Sequence, residues 1–160
     1  MISVTALGEL LIDFTDAGTS AAGQKLFERN AGGAPANVLV ALSRLGHGTA
    51  FIGKVGDDMH GRFLRATLEA DGIDCTGLAM DADHFTTLAF VALSDTGERS
   101  FSFARKPGAD TQLRTSDLPR ELIASSRVFH VGSLSLTDEP VEEVRAAWEL
   151  LGACGLATMW

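Results

Sequence analysis

The sequence predicts an α/β fold built on a mostly parallel sheet, and three observations carry that reading. Apolar stretches of strand character alternate with amphipathic stretches of helical period, which is the pattern of stacked β-α units. One segment between them has a period of two and no helical period, and so forms a β-hairpin. The 160 residues are 46% hydrophobic and 21% charged, enough apolar material for one globular core.

The elements follow in chain order. Residues 2–7 open as a strand. Val38, Leu42 and Leu45, with Leu39 beside them, recur at helical spacing and stop at Gly46, so a first helix ends there. TAFIGKVG is a buried strand. Residues 59–70 form a helix carrying the pairs Met59/Phe63 and Leu64/Leu68, and Gly72 ends it. The hairpin is FTTLAFVALSDTGERSFSFARK, with the turn-forming SDTGE between its arms. In its second arm Arg99, Phe101, Phe103 and Arg105 share one face, while Glu98, Ser100, Ser102 and Ala104 share the other. Such a hairpin either roofs the mouth of a cleft or caps the core. RVFHVGS is a further strand, and Val141, Val144, Trp148 and Leu151 follow at helical spacing behind TDEP, whose acidic residues suit a helix start. GLATMW begins like one more strand with no helix after it, so it is either an unusual sheet edge or the end of a truncated piece of a longer protein.

Charge narrows the function classes. The net charge is −8 and no segment concentrates Lys or Arg, which excludes the electrostatic footprint of a nucleic-acid or anionic-membrane binder and favours a small-molecule partner. MISVTALGELLIDF has no basic leader, Glu9 and Asp13 interrupt its apolar run, and no run reaches the roughly 18 residues of a membrane span, so a cytoplasmic protein is expected. Cys75 and Cys154 are far apart with no His at ligand spacing, and two reduced, partly buried thiols are expected rather than a disulfide or metal site.

Two nucleotide motifs are imitated and fail. GTAFIGKV carries Lys54 at the lysine position of a phosphate loop, but Val55 stands where the hydroxyl belongs and Ala50, Phe51 and Ile52 are themselves strand. The dinucleotide fingerprint is broken because Gly32 and Gly33 are adjacent and Asn37 takes the place of the last glycine.

RNAGGAPANVLVALSRLG holds the informative corner. Gly32 and Gly33 tolerate unusual backbone angles and allow close approach, Pro35 suits the first turn of a helix, and Asn37 projects an amide that both donates and accepts. The corner is either a site for a hydroxyl-bearing ligand or a tight turn before a helix. Asp13, after ELLI at the expected end of the first strand, lies either in the ligand crevice of an open sheet or on a solvated surface.

AGGAPANVLVALSRLG resembles the first signature of the ribokinase-like (PfkB) carbohydrate kinases, and GELLIDF, GKVGDDMHGRFL, FARKPGAD and FHVGSLSL resemble stretches of their fructokinase branch. The similarity is colinear from about Leu7 to Pro140. It implies one incomplete ribokinase-like domain over residues 1–160: three α/β layers with a mostly parallel sheet and a small β-sheet lid, its segments near residues 10–30 and 86–105. It implies transfer of the ATP γ-phosphate to a hydroxyl of fructose or a related sugar, with Mg2+, and a homodimer through the lid. Asp13, Gly33 and Asn37 correspond to sugar contacts, Gly32 to the residue that permits the turn, and Arg105 to a substrate-contacting lid arginine, which assigns the hairpin to the lid. His130 is expected to be a core residue.

No segment resembles the family's second signature, D-T-x-G-A-G-D, which supplies the catalytic aspartate and a glycine-rich helix start. The expectation is therefore a sugar-binding N-terminal portion without its C-terminal half: no catalytic base, no tight nucleotide or metal site, and no turnover alone. The alternatives are a non-catalytic binding or dimerisation module, or a ketodeoxygluconate, ribose or nucleoside kinase of the same family.

Overall fold

The computed structural model describes residues 2–93, 98–136, 142, 145–147, 149 and 157–158. In chain order the elements are β1 (Val4–Leu7), β2 (Leu11–Thr19), β3 (Lys25–Gly32), α1 (Ala34–Arg44), β4 (Thr49–Gly56), α2 (Met59–Ala70), β5 (Asp74–Asp81), β6 (Leu88–Leu93), β7 (Arg99–Ala104), α3 (Arg120–Ser125), β8 (Val128–Val131) and β9 (Ala157–Thr158). Among the described residues, β5-β4-β1-β8-β9 form a parallel sheet and β3-β2-β6-β7 form a second, mixed one.

The parallel sheet is apolar on both faces because its central strands are apolar at successive positions. Ala6 pairs with Phe51 and Leu7 with Ile52, so each pair turns to the face opposite its neighbour's. Ala6, Phe51 and Val55 pack against Ala36 and Leu39 of α1 and Leu64 and Leu68 of α2. Leu7, Ile52 and Phe129 pack against Leu113, Leu118, Ile123 of α3 and the helical Ala147. Helix, sheet and helix give the three layers expected of a ribokinase-like fold, and each fully buried Leu, Ile or Phe contributes about 1.5–3 kcal/mol.

Local chemistry sets the helix ends. Asp58 caps α2 through Oδ1, which accepts the N–H groups of His60 and Gly61, both at 2.8 Å. Its Oδ2 accepts the Thr86 N–H at 2.8 Å, and Oδ1 also accepts the Thr86 hydroxyl at 2.9 Å. Burial pushes this carboxyl upward, but the hydrogen bonds outweigh it and hold it below the usual aspartate range.

α1 exists where expected with a different buried stripe: Pro35, Ala36 and Leu39 face the core, whereas Val38 and Leu45 are exposed. Apolar residues on nearly every side of this helix leave its phase undetermined by periodicity. In α2 the Leu64/Leu68 pair is buried, but Met59 lies in solvent at the first position. β5 lacks an apolar run and was not anticipated; it holds Cys75, which is buried, and burial pushes its thiol up to about 11. His130, expected in the core, is only half-buried. Of the expected helix after TDEP, residues 142, 145–147 and 149 are helical, while Val141, Val144, Trp148 and Leu151 lie outside the described residues, as does the thiol expected at Cys154. Within GLATMW, β9 pairs with β8 in parallel.

Lys54 is not a phosphate-loop lysine. It is held inside β4 by Asp117 at 2.8 Å and donates to the Gln112 carbonyl at 2.9 Å. Among the described residues no helix is long and apolar enough to cross a membrane.

The second sheet joins two antiparallel pairs, β2/β3 and β6/β7, through parallel pairing of β2 with β6. Its inner face docks on α2: Phe14 stacks on Phe90 at 5.3 Å and meets His60 edge-on at 5.8 Å, and the Arg29 guanidinium lies 3.9 Å over the Phe63 ring. The outer face carries Asp13 and Gly32 at one end and Phe101 and Phe103 further along, as the two-residue period requires.

Candidate functional site

Asp13 is not at the end of the first strand. β1 stops at Leu7, the chain turns through Gly8, Glu9 and Leu10, and Asp13 is the third residue of β2 in the second sheet. The apolar run continuing across that turn concealed the break. From this position the half-buried Asp13 carboxylate lies directly against Gly32, where a Cβ would come 2.2 Å from Oδ2. Burial raises this carboxyl, and among the described residues no hydrogen bond or neighbouring charge offsets it.

Gly33 completes the corner. It is the N-cap of α1 with φ 120° and ψ 120°, a region open in practice only to glycine, and a Cβ there would sit 2.4 Å from the Glu9 carbonyl oxygen. Having no side chain, Gly33 leaves the helix start to be capped from elsewhere. The Glu9 carboxylate does this: Oε1 accepts the Ala34 N–H at 3.0 Å. Glu9 is 6% exposed, its Oε2 has no hydrogen-bond partner among the described residues, and burial raises its carboxyl above the usual range.

Asn37 is exposed in the first turns of α1. With Gly32, Ala31, Leu10, Val40 and Arg44 it borders a groove of about 260 Å³ between α1 and α2. Asp13 borders a second hollow of about 270 Å³ on the outer face of the mixed sheet, with Thr15, Val91, Arg99 and Phe101. Gly32 joins the two, since it touches Asp13 and lines the Asn37 groove.

Arg105 follows β7 on the same face as Phe101 and Phe103, and it is turned onto Asp110: Nε and Nη2 reach Oδ2 at 2.9 and 2.8 Å. Asp110 is 6% exposed and its Oδ1 accepts the Thr87 hydroxyl at 2.5 Å. Asp13 and Asn37 thus border different hollows linked through Gly32, with Gly33 next to it as the N-cap of α1. Arg105 lines neither of these two hollows.

Glu9 and Asp110 escaped sequence reasoning, because a buried acid is indistinguishable from a surface acid in a string of letters. Glu9 carried one signal, a carboxylate two residues after a buried strand. Among the described residues no group of three or more His, Cys, Asp or Glu is arranged to hold a metal ion.

The model of the pfkB family carbohydrate kinases matches residues 1–153. The chain belongs to the pfkB family. Fructokinase-1 of Oryza sativa subsp. japonica is 51% identical over 139 residues, which are 86% of this chain and 43% of that protein. The crystal structure of fructokinase from Xylella fastidiosa superposes with a TM-score of 0.91 at 36% identity, covering 98% of this chain and 49% of that one. The structure of the same enzyme with bound ATP gives a TM-score of 0.89 at 36% identity, covering 98% of this chain and 47% of that one. The chain therefore spans less than half the length of these relatives.

Proposed function

We propose that this chain forms the sugar-binding portion of an ATP-dependent kinase that phosphorylates fructose or a related sugar. The observation that carries the reading is the Asp13 carboxylate lying against the Gly32–Gly33 start of α1, with Asn37 opening from the same helix. A carboxylate with no hydrogen-bond partner among the described residues accepts hydrogen bonds from sugar hydroxyls, the Asn37 amide both donates and accepts, and the glycines let the ring approach the backbone. Phe101 and Phe103, stacked at 6.1 Å and half-exposed, offer an apolar wall above the corner. The family resemblance also assigns a substrate contact to Arg105, whose Nε and Nη2 are bound to Asp110 in this structure.

The family resemblance supports ATP as phosphoryl donor with Mg2+. It assigns the base that deprotonates the attacking hydroxyl to the second glycine-rich signature, which these 160 residues do not contain. Phosphoryl transfer needs that base and the charge stabilisation around it, so the corner described here binds and orients the acceptor. The second sheet also leaves Phe27 and Phe90 exposed, and the apolar area fits pairing with a second copy of the chain.

Calorimetric titration with fructose tests the reading. Asp13→Ala removes a charged acceptor from the hydroxyls and is expected to raise the fructose Kd about ten- to a hundred-fold. An unchanged Kd would remove Asp13 from the site.

A further inference from the structure

A glycine-bounded helix N-terminus ordinarily attracts anions, because its free N–H groups and the helix dipole both favour negative charge. In this chain that place is taken. The α1 N-cap is Gly33, with no side-chain cap and no acidic residue in the first turn, yet the Ala34 N–H is bound by Glu9 from 25 residues away in sequence. The Glu9 carboxylate is almost fully buried and its second oxygen has no hydrogen-bond partner among the described residues, lying against Gly132, where a Cβ would come 2.8 Å from Oε2. A capping role alone needs only one neutral acceptor oxygen, which a Gln or a Ser would supply. The chain instead places a whole carboxylate there, a few residues from the Asp13 carboxylate at the same corner. Asp110, whose charge is felt at Glu9, is paired with Arg105.

We infer that Glu9 is a specificity-determining residue: it fills the anion-attracting start of α1, so that the corner accepts neutral sugars and turns away phosphorylated ones. The inference rests on the sugar-binding reading of this corner. A phosphate ester entering with its charged end toward α1 meets the Glu9 carboxylate already on the Ala34 N–H in place of a free helix start, whereas a neutral sugar carries no charge for it to repel.

The test is calorimetric titration of the chain with fructose, with a fructose monophosphate, and with inorganic sulfate as a bare dianion. The unsubstituted chain is expected to bind the monophosphate at least about ten-fold more weakly than fructose, the scale set by one nearby charge in a partly dry site. Glu9→Gln keeps an amide oxygen for the Ala34 N–H and is expected to narrow that ratio about ten-fold and to gain sulfate binding. Equal affinity of the unsubstituted chain for the two sugars overturns the proposal without any variant, and so does a ratio that Glu9→Gln leaves unchanged. If neither sugar binds, the sugar reading falls. The sulfate comparison then decides Glu9 by itself: a gain on Glu9→Gln supports its role as the resident anion, and no gain overturns it.

Discussion

Gly33→Ala is expected to destabilise the fold by about 3 kcal/mol or more and to eliminate fructose binding. Two effects add. The backbone at φ 120° and ψ 120° is strained for any residue with a Cβ, at about 1–3 kcal/mol. The new methyl would also stand 2.4 Å from the Glu9 carbonyl oxygen, a backbone atom with no flexible end to swing aside. Relief requires α1 to move away from the β1–β2 turn, which breaks the Ala34–Glu9 hydrogen bond and carries Asn37 away from Asp13. Urea denaturation gives the first number and titration with fructose the second. A loss below about 1 kcal/mol would show that the corner is not closed as described.

The second large effect is expected at Asp58, the N-cap of α2. Asp58→Ala removes a helix cap, at about 0.5–2 kcal/mol, and both hydrogen bonds to Thr86, at about 1 kcal/mol each. Partial exposure lets water replace some of this, so a net loss of about 2–3 kcal/mol is expected. The pH dependence has a definite sign. The folded carboxyl lies below its unfolded value, so its contribution is fully present above the ordinary aspartate pKa of about 4 and is lost as pH falls through the lower folded value. Thermal melts at about pH 7 and about pH 3 should therefore show the gap between the native chain and Asp58→Ala shrinking in acid. A gap that stays constant or widens in acid would contradict the hydrogen-bonded, ionised cap.

What the sequence disclosed depended on how sharply each signal was bounded. β4 was legible because TAFIGKVG is apolar at successive positions and fenced by polar residues, the mark of a strand covered on both faces. The pairing of β6 with β7 followed from a period of two around SDTGE, and the face holding Phe101 and Phe103 was assigned correctly. α1 was visible as a helix and ambiguous in phase, since Val38, Leu39, Val40 and Leu42 spread around most of its circumference. The β1–β2 break was hidden because Leu10, Leu11 and Ile12 continue the apolar run of β1 through a turn without Pro or Asn, which placed Asp13 in the wrong strand. At the candidate site the adjacent glycines and Asn37 stood out because their residue types are costly inside a helix. Glu9 and Asp110 did not, because what makes them unusual is burial, and burial is a property of the fold.

The central claim, that a sugar lies at the corner made by Asp13, Gly32, Gly33 and Asn37, is tested most directly by amide and side-chain NMR of the chain titrated with fructose. Saturable shifts concentrated at Gly32, Gly33, Ala34 and the Asn37 side-chain amide, and abolished by Asp13→Ala, are the result expected. Saturable shifts elsewhere with this corner silent, or no shifts at any fructose concentration, would contradict it.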